Sequence, residues 1–117
     1  MPFYQIFHAP GTLSREDKTI IAKGFTETHC SIAGATPYVV KVAFIDADIY
    51  TSGEHDDKII RIVGIIKGGR TFETKSKLLE GLSLVITPFL GEKMVEITLV
   101  ENHAEDMKRV IGKDLLN

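Results

Sequence analysis

The chain has 117 residues, 44% of them hydrophobic, with a formal net charge of −2. That length supports one domain with a single core, and the composition is too apolar for a disordered chain. A near-neutral balance also excludes nucleic acid as a main partner, since phosphate contacts need a concentrated basic surface.

The opening stretch, MPFYQIFHAP, reads as a strand from Phe3 to His8. Pro2 stands where that strand begins. A first strand position tolerates proline, which has a fixed φ and no amide hydrogen. Proline is also a residue before which an initiator methionine is usually trimmed. Loss of Met1 would leave Pro2 with a free secondary amine, whereas retention would leave a tertiary amide with no basicity. A free α-amine has a reference pKa of about 7.7–8.0, which burial or nearby cations lower.

A Pro-Gly turn at 9–13 leads to Ser14, an N-cap with acidic residues at 16 and 17 in the first turn. Ile21, Phe25 and Ile32 recur at helical spacing, so a helix is predicted over about 14–33, ending at Gly34. His29 lies one turn past Phe25, beside that apolar stripe, where a histidine is more often structural than catalytic. Tyr38 to Ile45 reads as a second strand, and 46–57 as a polar loop with room for a small hairpin. Ile59 to Ile66 is a third strand, about 71–89 a second helix, and Met94 to Val100 a fourth strand. The segment 104–117 is either a short helix or an arm over a neighbour.

Residue n matches residue n + 57 without a gap: Gly11 with Gly68, Ser14 with Thr71, Glu16 with Glu73, Gly24 with Gly81, and Gly34 with Gly91. Apolar positions follow, including Val40 with Ile97 and Val42 with Leu99. The chain therefore reads as a duplicated β-α-β unit, repeat one over about 2–45 and repeat two over about 59–101, within one domain spanning 1–117. Two right-handed crossovers side by side place four strands in one sheet with both helices on one face. The runs VVKVAFI and IIRIVGII are apolar at both parities, as in strands covered on both sides. Nothing in the chain is left to cover the second face, so homo-oligomerisation through the sheet is expected.

The turn KGGRT, 67–71, carries the local positive charge. Its glycines let backbone amides approach a ligand, the following helix N-terminus favours an anion, and Lys67 and Arg70 add two cations. A solvated turn is the competing reading. Arg70 stands where a helix dipole prefers an acid, which a carboxylate ligand would explain. The repeat equivalents of Pro2, His29 and Arg70 are Ile59, Ile86 and Leu13. Symmetry is thus lost at all three together, as one active site per chain would require.

These residues together resemble the tautomerase superfamily, and within it the fused-repeat branch similar to cis-3-chloroacrylic acid dehalogenase. The resemblance rests on the proline opening a β-α-β repeat, the GGR turn and a histidine late in the first helix, and it covers the chain to about residue 101. It implies an α+β fold, the tautomerase two-layer sandwich, assembled as a homotrimer. It further implies that Pro2 is the catalytic residue. His29, Lys67 and Arg70 would bind a substrate carboxylate or polarise its carbonyl. Lys67 stands where the dehalogenase pattern has a second arginine, which keeps the charge and loses the bidentate fork. The pattern's tyrosine and water-activating glutamate fall on Thr98 and Arg109, so dehalogenation is not carried over; Glu101, Glu105 and Asp106 are the candidate replacements for the acid. The expected activity is tautomerisation of a small keto or enol carboxylic acid, with hydration of an activated unsaturated acid as a weak side reaction. A non-catalytic trimeric binding or cytokine-like protein of the same fold is the alternative, and a ferredoxin-like regulatory domain a weaker one.

The lone Cys30 forms no intramolecular disulfide, and no Cys/His cluster has metal-ligand spacing, so no metal or other cofactor is expected. There is no signal-peptide pattern, and no apolar run approaches the roughly 18–20 residues of a membrane span. A cytoplasmic protein without membrane contact follows as the expectation.

Overall fold

The computed structural model describes residues 2–112. Met1, whose removal the reading of Pro2 requires, and the last five positions of the C-terminal segment lie outside the described residues. Strand β1 (Phe3–His8) leads to helix α1 (Arg15–Ala33), strand β2 (Lys41–Asp46) and a hairpin of β3 (Tyr50–Thr51) and β4 (Glu54–His55). The second unit is β5 (Ile59–Lys67), α2 (Phe72–Ile86) and β6 (Met94–Asn102). The sheet runs β2-β1-β5-β6: each crossover pair is parallel, and β1 and β5 meet antiparallel at the centre.

Local chemistry sets the helix starts. Ser14 accepts from the Asp17 amide while the Asp17 carboxylate accepts from the Ser14 amide, a complete capping box. Thr71 caps α2 with its side chain alone, which accepts from the Thr74 amide. Two expected boundaries move. Tyr38 is 93% exposed in a short 3₁₀ turn, Pro37–Val39, and the strand begins only at Lys41, where pairing with β1 starts. Helix α2 stops at Ile86 and tightens into a 3₁₀ turn over Thr87–Phe89, because Pro88 has no amide hydrogen to continue the ladder.

The helices lie antiparallel across one face of the sheet. Gly24 sits against Val85 and Gly81 against Thr28, and a Cβ at either glycine would stand 2.6 Å from that neighbour. The core between the layers is made by Tyr4, Ile6, Ile60, Ile62 and Ile66 from the sheet and by Ile21, Phe25, Leu78 and Leu82 from the helices. The opposite face has no cover within the described residues, and there Phe3, Met94 and Val100 stay exposed.

The duplication is real in the helices and slips in the strands. Caps Ser14 and Thr71, and buried His29 and Ile86, occupy equivalent places at the offset of 57. In the sheet, Tyr4 and Ile6 point into the core, but their counterparts at that offset, Arg61 and Val63, point away from it; Ile60 and Ile62 are the core residues. Side chains alternate along a strand, so a match slipped by one residue sets inward positions against outward ones. Phe3 also pairs with Lys41, 38 residues on, whereas Ile59 pairs with Met94, 35 residues on. The gapless match of Val40 with Ile97 and of Pro2 with Ile59 is therefore corrected: the second unit's crossover from strand to strand is shorter, in its strand-to-helix turn and in its helix.

Candidate active site

Because β1 and β5 are antiparallel, the start of β1 and the end of β5 meet at one end of the sheet, where α1 also ends. A cavity of about 310 Å³ opens there, lined by Pro2, His29, Ala33, Gly34, Lys67 and Arg70 among others. All four residues singled out in the sequence thus line one cavity, of a size suited to a small ligand. Pro2 is buried, and its carbonyl accepts from the Lys41 amide, which ties the chain's first described residue to β2.

The KGGRT turn directs its two cations differently. Gly69 adopts a φ of +87°, a region that L side chains rarely enter, and this turns the chain sharply after Lys67. The Arg70 guanidinium does not sit on the N-terminus of α2. Its Nη1 donates to the carbonyl of Ala33, 3.1 Å away, at the C-terminal end of α1. There a cation meets the negative end of the helix dipole and satisfies an orphan carbonyl. The unfavourable placement inferred from sequence position alone is thereby overturned. Among the described residues Arg70 Nε is buried with no hydrogen-bond partner, and neither Arg70 nor Lys67 has a carboxylate within ion-pair distance.

His29 is 1% exposed on α1. Burial and then the Arg70 guanidinium push its pKa down from 6.5 to about 4, so the imidazole is neutral at pH 7. Sequence reasoning missed one residue of the site. Tyr4, two residues after Pro2 and fully buried, places its Oη 2.7 Å from His29 Nδ1. Burial raises the phenol's pKa, against a smaller lowering by Arg70, so it stays protonated. The available signal was parity, since Pro2 and Tyr4 share a strand face.

Among the described residues no carboxylate lines the cavity. Glu101 is drawn to Lys75 of α2, 3.3 Å away, and Glu105 and Asp106 lie in an exposed 3₁₀ turn after β6. Thr98 pairs with Val63 within the sheet and does not reach the cavity either. The site consists of a buried proline, a neutral histidine backed by a phenol, and two cations without counter-ions among the described residues.

A two-layer sandwich of duplicated β-α-β units with this site defines the tautomerase superfamily class. The family model described as "Putative oxalocrotonate tautomerase enzyme" matches residues 1–113, and the chain belongs to that family. Among solved structures it is similar to N1, a member of the cis-3-chloroacrylic acid dehalogenase family, at 28% identity, covering 92% of this chain and 79% of that one with a TM-score of 0.83. A fused 4-OT solved as an asymmetric trimer, "F6", shares 20% identity over 94% of this chain and 92% of its own, with a TM-score of 0.82. Pt0534 inactivated by 2-oxo-3-pentynoate shares 22% identity over 92% and 90% of the two chains, with a TM-score of 0.80. No curated protein sequence matches. Among the described residues no helix is long and apolar enough to cross a membrane.

Proposed function

We propose that the protein is a tautomerase that moves a proton within a small keto or enol carboxylic acid, using the amine of Pro2 freed by loss of Met1. The observation that carries this reading is the pair of cations at the cavity, Lys67 and Arg70, neither matched by an acid among the described residues. An anionic ligand supplies the missing charge, and a carboxylate suits the guanidinium fork. The same cations favour the uncharged form of a neighbouring amine, so Pro2 can take a proton from one substrate atom and return it to another. His29, neutral and buried, helps to place the substrate's other oxygen. Among the described residues no carboxylate lines the cavity to activate water, so this reading does not include hydrolytic dehalogenation.

The active form is proposed to be a homotrimer assembled through the uncovered sheet face, a reading supported by the apolar side chains exposed there and by the trimeric fused relative. A cytoplasmic location accords with the single unpaired cysteine.

The test compares conversion of phenylenolpyruvate to phenylpyruvate by wild type, Pro2→Ala and Arg70→Ala, with intact mass establishing that Met1 is absent. Pro2→Ala is expected to remove most of the turnover, because the secondary amine becomes a primary one. Activity indifferent to that change would sink the mechanism. Saturable binding of a small acid without turnover of any keto or enol acid would favour the non-catalytic binding protein instead.

A further inference from the structure

We propose that Tyr4 is a positioning residue, whose hydroxyl donates to His29 Nδ1 and so holds the imidazole as the Nε2–H tautomer, a fixed hydrogen-bond donor facing the cavity. The role assigned to that donor rests on the tautomerase reading above; the tautomer itself does not.

The argument begins with the hydroxyl's single hydrogen. Tyr4 is fully buried, and His29 Nδ1, at 2.7 Å, is the partner of its Oη among the described residues. A neutral imidazole has one donor nitrogen and one acceptor. If Nδ1–H donated to the phenol oxygen, the phenol's own hydrogen would be buried with no acceptor, at a cost of about 1–3 kcal/mol. The reverse arrangement satisfies both groups and leaves the imidazole proton on Nε2. No hydrogen bond within the described chain engages Nε2, and the His29 side chain lines the cavity.

The sheet is shaped to keep the phenol in that position. Tyr4 lies directly opposite Gly64 on β5. A Cβ there would stand 2.6 Å from Tyr4 Cε1 and 2.9 Å from Cδ1, so a glycine is needed for the ring to lie where it does. Phe25 closes the other side, edge-on to the Tyr4 ring at 5.4 Å between centroids and 79° between planes. The phenol is therefore clamped between strand and helix, and its one free direction leads to His29. The consequence for chemistry is that His29 acts as a donor to a substrate oxygen and never as the base, leaving that role to Pro2 alone. The depressed pKa of the imidazole agrees with this arrangement.

The experiment is a long-range ¹H–¹⁵N correlation spectrum of protein labelled on histidine, recorded at pH 7 without ligand. The His29 ring is expected to show a pyridine-type Nδ1 and a pyrrole-type Nε2. A pyrrole-type Nδ1, or two pyrrole-type nitrogens, overturns the proposal whatever the activity assay reports. In Tyr4→Phe the ring is expected to become a mixture of tautomers, with kcat on a keto or enol acid down about tenfold and KM little changed, a loss equivalent to one hydrogen bond of about 1.4 kcal/mol. An unchanged tautomer and kcat in Tyr4→Phe also overturns it. Gly64→Ala, which removes no polar group but displaces the ring, is expected to move the His29 signals in the same direction, and unmoved signals would count against the clamp. A protein with the expected spectrum and no turnover would retain the tautomer assignment while defeating the tautomerase reading.

Discussion

Acidification should destabilise this protein chiefly through His29. Its pKa falls from 6.5 to about 4 on folding, because burial and the Arg70 guanidinium both penalise the imidazolium. The unfolded chain therefore binds the extra proton between those values, and stability rises with pH across the window. The contribution is complete above about pH 6.5 and is lost as pH falls towards 4. At roughly 1.36 kcal/mol per pH unit, the difference amounts to something on the order of 3 kcal/mol, a large share of a small domain's stability. Urea denaturation of wild type and His29→Gln at pH 7 and pH 4 measures it. Glutamine still offers the Tyr4 hydroxyl an acceptor but does not titrate. The wild type is expected to lose more stability than the variant over this interval. Parallel losses in the two proteins would refute the reasoning, since the pH dependence would then come from other groups.

Arg70→Gln should raise the His29 pKa, because the second largest cause of its depression is removed, and an NMR titration of the ring reads this directly. The same variant should raise KM for a carboxylate substrate roughly tenfold or more, the worth of a charge-assisted hydrogen bond. Leu82, fully buried between α2 and the sheet, should cost about 2–5 kcal/mol when changed to alanine, with the urea midpoint lowered and the m-value kept. A cost below about 1 kcal/mol would place Leu82 outside the core.

The site was legible in the sequence as four residues and illegible as a geometry. Pro2, His29, Lys67 and Arg70 could be singled out because each breaks the repeat or a local rule: a proline where a strand begins, a histidine beside an apolar stripe, cations ahead of a helix. Where those side chains go was not written locally. Arg70 reaches a carbonyl 37 positions away and Tyr4 a ring nitrogen 25 positions away, and both contacts depend on how α1 settles on the sheet. Glu101, a candidate acid by sequence, is instead committed to Lys75 across the β6–α2 contact.

The amino-acid sequence by itself determined what nearest neighbours along the chain can set. The capping box at Ser14, the helical spacing of Ile21 and Phe25, and the two-residue alternation of the strands all act within a turn or a pleat. From these the duplicated β-α-β plan and the fold class follow. Only the tertiary structure decided that β1 and β5 run antiparallel side by side, which brings Pro2 and Lys67 to the same end of the sheet. It also showed that the strands do not keep the offset of 57 that the helices keep, because a core on one side of a sheet accepts every second residue and a match slipped by one residue turns the apolar face outward.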